Sequence, residues 1–125
     1  MTPIERRYKF LCEVMKKVSE LDISADLQSR KRDIVLCRFI IMKKLRDEGY
    51  TYEQIGKVCG KNHSTVINDI AKLNAILQYP TLSDTELINT FNTFIDYADK
   101  QIEIQLSAYE FETLKSVLQK FLTIN

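Results

Sequence analysis

Glycine and proline are rare in this chain, which has three glycines and two prolines among 125 residues. Such scarcity disfavours the frequent tight turns of all-β folds and favours long, uninterrupted elements. Apolar residues recur at helical spacing between the breaks, most clearly in the stripe Val66, Ile70, Leu73 and Leu77. The sequence therefore predicts an all-α fold, a helical bundle.

Capping residues and glycines indicate where the helices begin and end. Thr2, Thr51 and Asn62 are suitable N-caps, whereas Gly49 and Gly60 are typical of the position just after a helix. Together with the apolar stripes, they predict helices over residues 3–21, 34–48, 52–58 and 63–78. A short helical turn is expected over residues 24–28, and Pro80 stops the fourth helix.

The last third of the chain differs in charge from the rest. Residues 1–79 hold 15 Lys and Arg against 10 Asp and Glu, whereas residues 80–125 hold 3 against 7. Such asymmetry indicates a basic working domain, 1–79, and an acidic extension, 80–125. Whether the extension packs on that domain or mediates a homodimer is left open by the sequence.

The acidic extension is expected to form two amphipathic helices. Capping-box patterns at residues 83–86 and 107–110 begin them. Between them, residues 102–106 alternate apolar and polar side chains, which is typical of one short strand. That segment either serves as an extended linker or pairs with the same segment of a second copy.

Several classes of protein are disfavoured by composition. The charged N-terminus has no apolar core of a signal sequence, and no apolar run reaches membrane-spanning length, so we expect no membrane segment and a cytoplasmic location. Three cysteines and one histidine, with no Cys-x-x-Cys pair, argue against a disulfide framework or a zinc site. We expect the cysteines to be small buried hydrophobes.

Residues 52–78 have the spacing of a helix-turn-helix motif, in which the first turn of the second helix meets base edges in the major groove. The outward-facing residues there are Asn62, His63, Ser64, Thr65, Asn68 and Lys72. Lys61 lies in the turn, where a phosphate would pass, and the basic loop 30–32 could reach neighbouring phosphates. At this point a merely solvated polar helix face explains the pattern as well.

Three stretches carry a family resemblance: RKRDIVLCR at 30–38, EQIG at 53–56 and GKNHSTV at 60–66. Together they resemble the C-terminal DNA-binding domain (domain IV) of the bacterial replication initiator DnaA, over residues 10–79. That family has a basic loop, an ARQ helix, an EIG helix and a GGRDHTTV turn that opens its recognition helix. The resemblance implies a Trp-repressor-like helix-turn-helix and sequence-specific binding of double-stranded DNA, in replication control or transcriptional regulation.

The resemblance also implies roles for individual residues. Arg30 matches an arginine that the family inserts into the minor groove. The backbone contacts that it implies come from Arg32, Arg38, Lys61 and Lys72, and Lys31 of the same basic loop is expected to join them. The resemblance places Asn62 and His63 at base-reading positions and Ser64 and Thr65 at the two threonines of the family, while Asn68 is expected to contact bases from its outward position on the helix.

Three departures from the family pattern bear on DNA binding. A single glycine, Gly60, stands where the family has two, so the turn is expected to be one residue shorter. Phe39 replaces the glutamine of the ARQ helix, and Asn62 replaces the aspartate of the turn. An amide both donates and accepts hydrogen bonds, so Asn62 is expected to bond an adenine edge in two places. The preferred DNA sequence is therefore expected to differ from that of the family.

Catalysis is not expected. DnaA carries an ATPase domain ahead of this region, whereas residues 1–29 are too few for one. The sequence GKVCGKN at 56–62 lacks the Ser or Thr that follows the lysine of a phosphate-binding loop. We expect no nucleotide, cofactor or metal. The alternative from another class is a protein-interaction module that binds a replication or regulatory protein through the acidic C-terminal helices.

Overall fold

A computed structural model describes residues 1–23 and 31–100 of the chain. The regular elements in these ranges are helices, which confirms the predicted all-α class. They are α1 (Pro3–Ser19), α2 (Arg32–Asp47), α3 (Tyr52–Cys59), α4 (His63–Gln78), a 3-10 turn (Leu82–Asp84) and α5, which is helical over the described residues 85–100.

The chain divides into two units, Met1–Ile95 and Asp96–Asn125. The first unit includes the 3-10 turn and residues 85–95 of α5, and so extends beyond residue 79, where we expected the basic domain to end. In the second unit, residues 96–100 are described and are helical. The predicted turn at 24–28, the strand at 102–106 and the final helix lie outside the described residues, and dimerisation through residues 80–125 stays a prediction.

Most helix ends lie within one residue of the predicted ones, but α1 ends at Ser19 rather than at 21 and α2 begins at Arg32 rather than at 34. The Thr2 hydroxyl accepts a hydrogen bond from the Glu5 N–H at 3.2 Å, and Thr51 forms a capping box with Gln54. Each bond satisfies an N–H group that the first turn of a helix leaves without an intrahelical partner. Gly49 and Gly60 adopt φ values of 100° and 71°, the left-handed conformation that favours glycine after a helix.

One predicted cap is wrong by two residues. The sequence predicts a capping box at 83–86, but the structure forms it between Thr81 and Asp84, at the start of the 3-10 turn. One Asp84 carboxylate oxygen accepts hydrogen bonds from the Thr81 N–H at 2.9 Å and from the Thr81 hydroxyl at 3.0 Å. Thr81 has the extended backbone that an N-cap requires, so the turn begins before Ser83.

Helix α2 is the centre of the first unit, because α1, α3 and α4 all contact it. Its apolar side chains are buried on every side rather than along one stripe. The sequence predicts inward-facing Ile34, Val35, Phe39, Met42 and Leu45, and the structure buries all of these except Val35, which is half-buried. It also buries Leu36, Cys37, Ile40 and Ile41. A helix that is apolar all round is typically enclosed by its neighbours.

A bidentate ion pair joins the first helix to the end of the second. The Arg7 guanidinium donates to both carboxylate oxygens of Glu48, at 2.6 and 2.7 Å. Lys44 lies 3.5 Å from the same carboxylate, and the Arg7 guanidinium also covers the Phe10 ring at 5.1 Å. Two parallel hydrogen bonds between a guanidinium and a carboxylate fix the relative orientation of the two groups and also stabilise the pair. The contact therefore sets how α1 lies against the C-terminal end of α2.

The three cysteines are buried, as predicted. Burial raises the pKa of the Cys12 thiol to about 11 and that of Cys59 to about 12, so both stay protonated at neutral pH. Among the described residues no group of His, Cys, Asp and Glu is arranged to hold a metal ion. No helix within residues 1–23 and 31–100 is long and apolar enough to cross a membrane.

Burial of α2 on all sides predicts that Ile41→Ala is severely destabilising. Ile41 is fully buried, and the change leaves a cavity that should lower the free energy of unfolding by about 2–5 kcal/mol. Leu82→Ala is the matched control, because Leu82 is almost fully exposed. Denaturant titration measures both; equal effects of the two changes would contradict the packing described here.

Candidate nucleic-acid interface

The turn between α3 and α4 lies directly on the backbone of α3. The Gly56 carbonyl accepts hydrogen bonds from the backbone N–H groups of Gly60 and Lys61, the second at 2.8 Å. A Cβ added to Gly56 would meet the Lys61 carbonyl oxygen at a separation that real Cβ atoms do not adopt. Glycine at position 56 therefore lets the turn reverse the chain over three residues, and this determines where α4 begins.

The first two turns of α4 present short polar side chains to solvent. His63, Ser64 and Asn68 are exposed, and Thr65 is half-buried. On the opposite side of the helix Val66, Ile70 and Leu73 are buried in the core. The core stripe thus turns the predicted base-reading residues outward, as the spacing of the sequence requires.

Asn62 lies at the junction of the turn and α4, and its side chain caps the helix. Its Oδ1 atom accepts a hydrogen bond from the Thr65 N–H at 2.8 Å. An amide oxygen has two lone pairs, so Oδ1 can hold this cap and still accept one further hydrogen bond, while the NH₂ group donates. The expected two-bond contact with adenine therefore stays a prediction, and the cap fixes the position of the amide that would make it.

The cations near this end of α4 have an acidic neighbour. Asp69 lies three residues before Lys72 on α4. It is half-buried, and this burial raises the pKa of its carboxyl. The positive charges of Lys72, Lys61 and Arg38 act in the opposite direction. Lys61 is half-buried and Lys72 exposed, so both ammonium groups remain near the surface.

Arg38 does not lie where the family resemblance implies. Its side chain is buried, with 8% of the residue exposed, and its charge acts on Tyr8, Cys59 and Asp69. Little of this residue is therefore open to a phosphate. The assignment of Arg38 to the phosphate contacts stays a prediction that the family resemblance alone supports.

The basic loop is described only at its end, since Arg30 lies outside the described residues. Lys31 and Arg32 are exposed at the start of α2. The Arg32 guanidinium lies 3.4 Å from the Asp84 carboxylate of the 3-10 turn, with 64% of the arginine side chain exposed. A phosphate would compete with this carboxylate for Arg32.

Hydrogen bonding holds Asp84 in its charged form. The N–H and hydroxyl of Thr81, together with the charge of Arg32, keep the pKa of the Asp84 carboxyl below its ordinary value. Sequence reasoning missed this residue as a partner of the basic loop. The two are 52 residues apart, and no local pattern signals such a pair.

Comparison with known proteins finds a relative for part of the chain. It is 39% identical over 67 residues to the chromosomal replication initiator protein DnaA of Kosmotoga olearia. The aligned region covers 52% of this chain but 15% of that protein. The chain thus contains a DnaA-related segment, which agrees with the motifs read from the sequence.

The other two comparisons add nothing to this relationship. No family model matches the chain. No solved structure matches it either.

The contact between Gly56 and the turn predicts that Gly56→Ala lowers the free energy of unfolding, whereas this change usually raises it inside a helix. In a helix interior, alanine is ordinarily more favourable than glycine by about 1 kcal/mol. Here the added Cβ collides with backbone, so we expect a loss of about 1–3 kcal/mol in the free energy of unfolding. Denaturant titration measures the change, and a stabilised Gly56→Ala protein would contradict the close approach.

The lowered pKa of Asp84 predicts a pH-dependent contribution to stability. Because the folded-state pKa lies below the ordinary 3.8, the contribution is present at neutral pH and is lost as the pH falls below that value. Asp84→Asn should therefore unfold more easily than wild type at pH 7, and the two should converge at low pH. Unfolding titrations at several pH values measure the difference.

Ser83→Ala is the control for this titration. It removes a hydroxyl that lies 2.8 Å from the Thr81 hydroxyl but has no group that titrates. Its effect on the free energy of unfolding should not change with pH. If the difference in the free energy of unfolding between wild type and Asp84→Asn is also independent of pH, the charge of the Asp84 carboxylate does not contribute to stability.

Proposed function

We propose that this protein binds double-stranded DNA sequence-specifically, through a helix-turn-helix formed by α3, the turn at residues 60–62 and α4. The first two turns of α4 enter the major groove, where His63, Ser64 and Asn68 contact base edges. The role belongs to replication control or transcriptional regulation and involves no catalytic step.

One observation carries this proposal: α4 follows a tight turn and exposes polar residues at its start, within the segment that is related to DnaA. In a helix-turn-helix the second helix contacts bases with its N-terminal residues, and the first helix crosses the backbone. The Gly56 contact and the Asn62 cap preorganise this arrangement.

Backbone contacts come from cations on both sides of the proposed interface. Lys61 and Lys72 flank the start of α4, and Lys31 and Arg32 begin α2. Arg30 belongs to this set on the strength of the family resemblance. The net charge of the whole chain is only +1, so affinity depends on where these charges lie rather than on their sum.

Binding to duplexes selected from random DNA tests the proposal. With about five phosphates neutralised, raising the salt from about 50 to 200 mM should weaken binding on the order of several hundred-fold. His63→Ala should weaken binding to the selected sequence by about 1–3 kcal/mol and relax base preference. Titrations by fluorescence anisotropy at several salt concentrations measure both effects.

Two lysine variants separate a specific interface from general charge. Lys72→Ala should reduce the slope of log affinity against log salt by about 1. Lys9→Ala removes the same charge from an exposed position of α1 that has no part in the proposed interface, and should leave the slope unchanged. The proposal would be contradicted if the affinity for DNA did not change with salt concentration, or if Lys72→Ala and Lys9→Ala changed the slope equally.

A further inference from the structure

Ile67 is an aliphatic residue in an unusual place. It lies in the second turn of α4, and 41% of it is exposed. The core-facing side of the helix is already supplied by Val66, Ile70 and Leu73, which are 0–6% exposed. Ile67 is thus not needed for the packing of α4 on the first unit.

The neighbours of Ile67 are the residues proposed to read DNA. Ile67 follows His63 by four positions and Ser64 by three, so the three side chains share one face of α4. Side chains on a helix lean toward its N-terminus, which directs Ile67 toward the first turn. Ala71, four positions later, is exposed and small, so it leaves space beside Ile67 for another molecule.

An exposed apolar group among hydrogen-bonding side chains has a specific counterpart in the major groove. Among the four unmodified bases, thymine alone presents a methyl group there, beside its O4 acceptor. An aliphatic side chain can bury that methyl group, whereas it cannot satisfy the polar edges of guanine, adenine or cytosine.

We propose that Ile67 is a specificity-determining residue, which selects thymine by burying its C5-methyl group against the side chain. This inference rests on the proposed function, and names one base type that the α4 surface reads. Hydrogen-bonding residues of the first turn align the helix, and Ile67 adds discrimination at one base pair.

Replacing thymine by uracil tests the contact, because uracil keeps the O4 acceptor and the base pairing and lacks only the methyl group. Each thymine of a duplex selected by the wild-type protein is replaced in turn. At one position, wild-type affinity should fall about fourfold, as expected for one buried methyl group. For Ile67→Ala the same replacement should change affinity by less than about twofold, because the partner of the methyl group is gone.

A second variant and a control keep the test independent of folding effects. Ile67→Asn should lose the thymine preference as Ile67→Ala does, and an asparagine is tolerated at an exposed helix position. Leu82→Ala shortens an aliphatic side chain that is 96% exposed on the 3-10 turn, and should keep the fourfold uracil effect. Thermal unfolding and circular dichroism verify that each protein is folded.

The outcomes distinguish this inference from the function on which it rests. If the wild type binds a selected duplex but uracil weakens the wild type and both Ile67 variants equally, the role of Ile67 is wrong and DNA binding stands. The same conclusion follows if the selected sequence has no required thymine. If the wild type binds no duplex, the proposed function itself fails, and the role of Ile67 fails with it.

Discussion

The contact between Gly56 and the turn that follows α3 is the constraint on which the proposed interface depends. The Gly56 carbonyl accepts two backbone N–H groups of the turn, and the missing side chain lets the Lys61 carbonyl lie against the helix. The chain can then enter α4 at Asn62, which caps the new helix. A larger residue at position 56 would displace the start of α4, and with it the α4 side chains that are proposed to meet DNA.

The enclosed helix α2 supports this arrangement and limits which of its side chains reach the surface. Three helices pack around α2, so almost all of its apolar residues are buried, Ile40 and Ile41 among them. Arg38 matches a family arginine in sequence, yet it lies inside the same packing. Whether such a residue contacts DNA depends on how far the surrounding helices leave its side chain accessible, which a sequence match does not show.

Features that depend on a few consecutive residues could be predicted from the sequence. The N-caps Thr2, Thr51 and Asn62 and the left-handed Gly60 are of this kind, because each uses hydrogen bonds or backbone angles within four residues. The outward position of His63 follows equally from the period of the apolar stripe. The capping box at Thr81 was missed because residues 81–84 and 83–86 both have a hydroxyl residue followed three positions later by an acidic one. In the structure the box forms at 81–84, where the 3-10 turn begins.

By itself the sequence determined the all-α class, the positions of α1 to α4 to within about two residues and the polar character of the start of α4, since these follow from local propensity and periodicity. Only the tertiary structure decided that α2 is enclosed, that Arg38 is internal and that Arg32 lies beside Asp84. Those relations join residues that are far apart in the chain. They depend on how helices pack, and periodicity shows which face of a helix is apolar but not which neighbour covers it.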